Sequence, residues 1–73
     1  MSPAPFTEAT GTVDTFDEAR GLGTVRCDDG AVLGFHCTSI ADGSRTIPEG
    51  QPVRFTIVPG RQGLFEAASI TAL

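Results

Sequence analysis

The sequence contains no tryptophan, no tyrosine and no lysine, and its five arginines are outnumbered by nine acidic residues, for a net charge of −4. Proteins that bind nucleic acid non-specifically contact the phosphates mainly through lysine and arginine. The charge balance therefore predicts weak nucleic-acid binding at physiological salt, although an acidic domain can still carry one basic strip.

Other absences exclude whole classes of protein. A chain of 73 residues forms at most one domain, and a domain of this size buries only about 60% of its unfolded surface, which leaves little room for a deep enzyme cleft. No apolar run approaches the roughly 20 residues of a membrane helix, and the first ten residues lack the basic start and apolar centre of a signal peptide. Two cysteines are too few for a disulfide-stapled secreted scaffold. We therefore expect a cytoplasmic monomer with no membrane association, no enzyme activity and no cofactor.

The residues that are present predict short strands. Residues 11–16 (GTVDTF) are β-branched, and residues 21–27 (GLGTVRC) and 31–37 (AVLGFHC) flank an Asp-Asp-Gly sequence typical of a hairpin turn. Residues 52–58 (PVRFTIV) alternate apolar and polar side chains, as does a strand with one buried face. With a fifth strand at residues 64–71, the pattern predicts an all-β fold, a small five-stranded Greek-key barrel in which residues 38–51 form the long crossing.

The first ten residues, MSPAPFTEAT, contain two prolines and no strand period. We therefore predict a flexible arm at residues 1–10, followed by a barrel domain at residues 11–73. Within the hairpin, Cys27 lies beside the turn and Cys37 near the open end. That register separates them by about 15 to 20 Å, whereas a disulfide needs Cα atoms within about 7 Å, so both thiols are predicted to be reduced.

Five segments, in order, resemble the cold-shock domain family. They are GTVDTF (11–16), RGLGTV (20–25), LGFHCTSI (33–40), EGQPVRF (49–55) and AASIT (67–71). RGLGTV resembles the family's first ribonucleoprotein motif, usually Lys-Gly-Phe-Gly-Phe-Ile, and LGFHC resembles the second, usually Val-Phe-Val-His-Phe. The resemblance implies a barrel of the oligonucleotide-binding type that stacks bases of single-stranded RNA or DNA on aromatic side chains, beside a few basic residues.

The sequence departs from the family pattern at most of the implied binding positions. The usual tryptophan of the first strand is Thr15 and the preceding lysine is Asp14, and the phenylalanines of the two motifs are replaced as well. One base stacked on a ring is worth about 1 to 3 kcal/mol, so four or five missing rings remove on the order of 5 to 10 kcal/mol. The resemblance leaves these candidates for nucleic-acid contact: Phe16, Arg20, Leu22, Thr24 and His36.

Two functions from different classes remain open. The first is weak binding of single-stranded RNA or DNA through those five residues. The second is a protein-interaction module, with Phe65 or Phe6 of the arm as the contact for a protein partner. Plainer interpretations stand beside both: Phe16 and Phe65 as packing residues, and His36 as a surface histidine. We also predict that Phe6 folds back over the strand face that carries Leu22, Thr24 and Gly34. A metal site is not expected, because His36 is the only histidine.

Overall fold

The computed structural model describes residues 7–60 and 63–73, which form five strands joined into a closed barrel. The strands are β1 Thr7–Asp17, β2 Leu22–Cys27, β3 Val32–His36, β4 Pro52–Pro59 and β5 Phe65–Ala72. Their order around the barrel is β1-β2-β3-β5-β4, with β4 paired to β1. β3 and β5 are parallel and meet at the pair Gly34 and Glu66, whereas the other neighbours are antiparallel. The predicted all-β five-stranded Greek-key barrel is confirmed.

The β2–β3 hairpin has the predicted register. Leu22 pairs with His36, and Val25 pairs with Leu33. Gly30 closes the turn at φ 95°, a left-handed conformation that glycine adopts without steric cost. Cys27 is buried beside the turn and Cys37 follows β3 in a short 3-10 helix, Cys37–Ser39. Both cysteines are free, as the register predicts.

The inward side chains fill the barrel and leave no buried polar side chain in the described residues. Two positions differ from the strand pattern. Leu33 has the same strand phase as the buried Phe35, yet it is only half-buried, because it lies next to the hairpin turn, beyond the single pair that joins β3 to β5. Ile47 in the long connection is buried, although no strand period marks it. The buried hydrophobic residues are Val13, Val25, Cys27, Phe35, Ile40, Ile47, Val53, Phe55, Ile57, Ala67 and Ile70.

The predicted boundary of the arm is wrong. β1 begins at Thr7, not at Gly11, because β4 supplies a partner for the residues before Gly11: Thr7 pairs with Ile57 and Ala9 with Phe55. Ala9 also packs against the core. Phe6 and the rest of residues 1–6 lie outside the described residues. In the part of the chain that the structure describes, no helix has the length and apolar character needed to span a membrane.

Candidate functional site

The outer face of β1, β2 and β3 carries small side chains where the resemblance implies aromatic rings. Thr15 and Thr24 are cross-strand partners, and their hydroxyl oxygens lie 2.7 Å apart in a hydrogen bond. Thr24 also pairs with Gly34 on β3. The centre of this face is therefore a threonine pair beside a glycine, which offers hydrogen bonds and backbone but no ring on which a base can stack.

Phe16 is the one aromatic side chain of β1, and part of its surface packs against the core. Its ring stacks on the buried ring of Phe35 with centroids 5.9 Å apart and planes at 12°. Its backbone N–H donates to the Glu49 carboxylate at 3.1 Å. Since one face of the ring is covered by Phe35, at most the other face of Phe16 is open to a ligand.

Two arginines near this face lie close to aspartates. The Arg20 guanidinium is 3.8 Å from the Asp17 carboxylate in the β1–β2 turn. The Arg26 guanidinium is 3.5 Å from the Asp14 carboxylate across the two strands. All four side chains are well exposed, so each ion pair contributes little to stability. The pairs nevertheless cancel the positive charge that a phosphate backbone would meet.

His36 is exposed at the end of β3, opposite Leu22 on β2, on the outer face. Its Nδ1 accepts the backbone N–H of Thr38 at 3.2 Å and lies 2.9 Å from the Thr38 hydroxyl, which caps the 3-10 helix. A ring nitrogen that accepts carries no proton, so the neutral ring has its proton on Nε2. His36 therefore presents an N–H donor on a ring of fixed orientation.

A groove of about 710 Å³ runs along the seam between β3 and β5. Gly23, Gly34 and Phe35 line it from the hairpin, and Phe65 and Glu66 line it from β5. Gly34 contributes no side chain: a Cβ there would have only the Gly23 carbonyl oxygen as a neighbour, at 4.0 Å. The remaining lining residues are Leu22, His36 and Leu64, and the groove, which we call the seam groove, is mainly apolar.

The seam groove brings together residues that are far apart in the sequence. Leu22, His36 and Phe65 were candidates from the sequence, whereas Leu64 and Glu66 were not. Phe65 also packs against the core, which agrees with its plainer interpretation as a barrel-closing residue. No local pattern marks Leu64 or Glu66. Their proximity to His36 depends on the parallel contact between β3 and β5.

The two thiols differ in their surroundings. Burial raises the pKa of the Cys27 thiol above its ordinary value, and the nearby carboxylates of Asp29 and Asp28 raise it further. Cys37 is half-buried, with its sulfur 3.8 Å from Nδ1 of His36. In residues 7–60 and 63–73, no three histidine, cysteine or acidic side chains converge as metal ligands.

Comparison with known proteins places this barrel in a family. The sequence model of the 'Cold-shock' DNA-binding domain matches residues 9–73. The chain is 43% identical over 58 residues to the cold shock-like protein CspA of Stigmatella aurantiaca, which covers 77% of this chain and 85% of that protein. It is 42% identical over 66 residues to the cold shock-like protein CspA of Vibrio cholerae, covering 88% of this chain and 93% of that protein.

A solved structure, drosophila Unr CSD456, has the same fold. It superposes with a TM-score of 0.76 at 32% sequence identity, over 93% of this chain and 27% of that longer chain. The sequence match, which spans nearly all of the chain, and the shared barrel lead to the same assignment: the chain belongs to the cold-shock domain family.

Proposed function

We propose that this protein is a weak binder of single-stranded RNA or DNA that contacts the strand through the outer face of β1, β2 and β3. The family model is described as a DNA-binding domain, and the barrel that displays the binding strands is intact. The proposed contacting residues are Arg20, Leu22, Thr24 and His36, together with the exposed part of Phe16, which lies in the same row as Gly23 and Phe35. The observation that carries the proposal is the face itself: β1, β2 and β3 pair in order and present the Thr15–Thr24 hydroxyl pair beside Gly34 and the exposed His36.

The affinity is expected to be low for two reasons. Each missing ring forfeits about 1 to 3 kcal/mol per base, and a micromolar complex has only about 8 kcal/mol in total. The remaining contacts are one face of Phe16, the His36 ring and apolar contact with Leu22. Arg20 and Arg26 are neutralised by aspartates, so the electrostatic contribution is small as well.

A titration with labelled seven-nucleotide oligo-U and oligo-dT tests the proposal. Because the protein has neither tryptophan nor tyrosine, binding is followed by anisotropy of the label and by amide NMR shifts. We expect half-saturation between about 10 µM and 1 mM, equivalent to about 4 to 7 kcal/mol, with shifts centred on Leu22, Thr24 and His36. Absence of any shift at these residues with millimolar oligonucleotide refutes the proposal.

The seam groove favours a second candidate function, a protein-interaction module on the same barrel. Leu22 and Leu64 are 47% and 67% exposed at its rim, and Phe65 forms part of its wall. An apolar groove with exposed leucines is typical of a surface that contacts another protein. An outcome in which no oligonucleotide binds favours this candidate. For either function we expect a cytoplasmic monomer, since both cysteines are free and reduced thiols are typical of that compartment.

A further inference from the structure

Three outward positions of the seam groove lie close together on the barrel surface. Gly34 of β3 pairs with Glu66 of β5, and His36 lies two residues further along β3. With about 3.3 Å per residue and 4.8 Å between strands, the Cα atoms of His36 and Glu66 are about 8 Å apart. The groove therefore has a histidine on its β3 side and a glutamate on its β5 side.

The two polar groups differ in kind. Nδ1 of His36 accepts a hydrogen bond from the Thr38 N–H, so Nε2–H is available as a donor. The Glu66 carboxylate is an acceptor, and among the described residues none donates a hydrogen bond to it or forms an ion pair with it. It lies over the turn after β4, since a Cβ at Gly60 would be 2.5 Å from Glu66 Oε2. The groove therefore offers one donor and one two-oxygen acceptor.

The rest of the groove suits the face of a ring. Gly34 leaves open space above the backbone, and Leu22, Leu64 and Phe65 supply apolar walls. An apolar side chain of a protein partner would fill this space but would leave His36 and Glu66 without partners. A ligand that combines a flat face with donors on one edge and acceptors on another satisfies both the walls and the polar groups.

We propose that the seam groove binds one nucleobase and selects guanine, an inference that rests on the proposed binding of single-stranded nucleic acid. Guanine carries N1–H and N2–H side by side, and these match the two oxygens of the Glu66 carboxylate in parallel, charge-assisted hydrogen bonds. Its N7 and O6 are acceptors on another edge, available to the Nε2–H of His36. Phe65 and Leu22 contact the ring.

The other bases fit the same groups less well. Cytosine and adenine each offer one amino group to a carboxylate, so one oxygen of Glu66 lacks a donor. Uracil and thymine offer a single N–H between two carbonyl oxygens, which the carboxylate repels. The expected order of affinity is therefore guanine first, cytosine and adenine next, and uracil last.

The test compares heptanucleotides with a uracil background and one central base: guanine, inosine, adenine, cytosine or uracil. We expect the guanine strand to bind roughly 10-fold more tightly than the all-uracil strand, within the range that one well-formed bidentate contact gives. Inosine lacks the amino group at N2, so it should lose most of that preference without any change in the protein. Equal affinity of the guanine and inosine strands contradicts the proposal.

Protein variants test the assignment to Glu66. Glu66→Gln removes one of the two acceptor oxygens, and we expect the guanine preference to fall below about 2-fold. The all-uracil strand, which no longer meets a carboxylate, should bind at least as tightly as before. Gly60→Ala keeps the charge but displaces the carboxylate, so it should reduce the preference as well. Glu8→Gln is the matched control: it removes one negative charge from β1, on a surface away from the groove, and should leave the preference unchanged.

The outcomes separate the inference from the proposed function. Binding of all five strands with equal affinity overturns guanine selection and leaves nucleic-acid binding in place. A guanine preference that persists in both Glu66→Gln and Gly60→Ala overturns the role of the carboxylate. Absence of binding to every strand at millimolar concentration overturns both, and favours a protein partner for the groove.

Discussion

If the protein binds single strands through the outer face as proposed, one aromatic ring added at Gly34 should raise that affinity. Gly34 is exposed on β3, and its backbone is not in the left-handed region. A Cβ there would meet only the Gly23 carbonyl oxygen, at an ordinary contact distance of 4.0 Å. The structure therefore accommodates Gly34→Phe without displacing the core, and the new ring would stand beside Leu22, His36 and Thr24.

The size of the gain follows from the energy of stacking. One base on one ring contributes about 1 to 3 kcal/mol, which corresponds to a roughly 5- to 150-fold decrease in Kd. The assay is anisotropy of a labelled seven-nucleotide oligo-U at low and at physiological salt. A ring contributes mainly non-ionic energy, so the salt dependence of binding should stay the same while affinity rises.

Gly34→Leu is the matched control, because it adds apolar area at the same position without an aromatic face. Urea unfolding of both variants establishes that the barrel is retained. If Gly34→Phe binds no more tightly than Gly34→Leu, stacking is not what this face lacks, and the account of its weak binding is wrong.

Three further predictions concern charge, backbone and thiols. Asp14→Lys removes the ion-pair partner of Arg26 and adds a cation, so the affinity for single strands should rise. The plot of log K against log salt should steepen by roughly 0.7 per cation engaged, and an unchanged slope argues against phosphate contact at Arg26. Ser69 adopts φ 51°, so Ser69→Asn should raise the free energy of unfolding by about 0.5 to 1 kcal/mol while Ser69→Ala does not, as measured in urea. The raised pKa of Cys27 means that its contribution to stability is present below the ordinary thiol pKa and is lost as pH rises through the higher folded value. Cys27→Ala should remove that alkaline loss, and a thiol reagent should modify Cys37 before Cys27; the reverse order refutes the reasoning.

The strands and their faces could be predicted because their signals are local. Alternation in residues 52–58 and the Asp-Asp-Gly turn specify the period and the register, and a register assigns every side chain of the hairpin to one face. Thr24 and Gly34 could be placed side by side on the outer face for that reason. The resemblance implies the replacement of rings at the same stage, since that expectation needs only the family pattern and residue identity.

The start of β1 and the place of Ile47 could not be predicted from local signals. Residues 7–10 form a strand because β4 lies beside them, and a sequence without strong strand propensity accepts the conformation that its partner imposes. Ile47 is buried because the long connection packs it into the core cluster of the barrel. The strand at residues 7–10 and the burial of Ile47 both depend on neighbours that are distant in the sequence and come close only in the folded barrel.

The sequence by itself determined the all-β barrel, the unpaired cysteines and the acidic charge, since each depends on composition, period or residue type. Only the tertiary structure decided that Phe65 and Glu66 lie beside His36 and Gly34. The physical reason is the parallel contact between β3 and β5, which joins strands separated by the whole of β4 and the long crossing. No local pattern specifies that contact, because it forms only when the barrel closes.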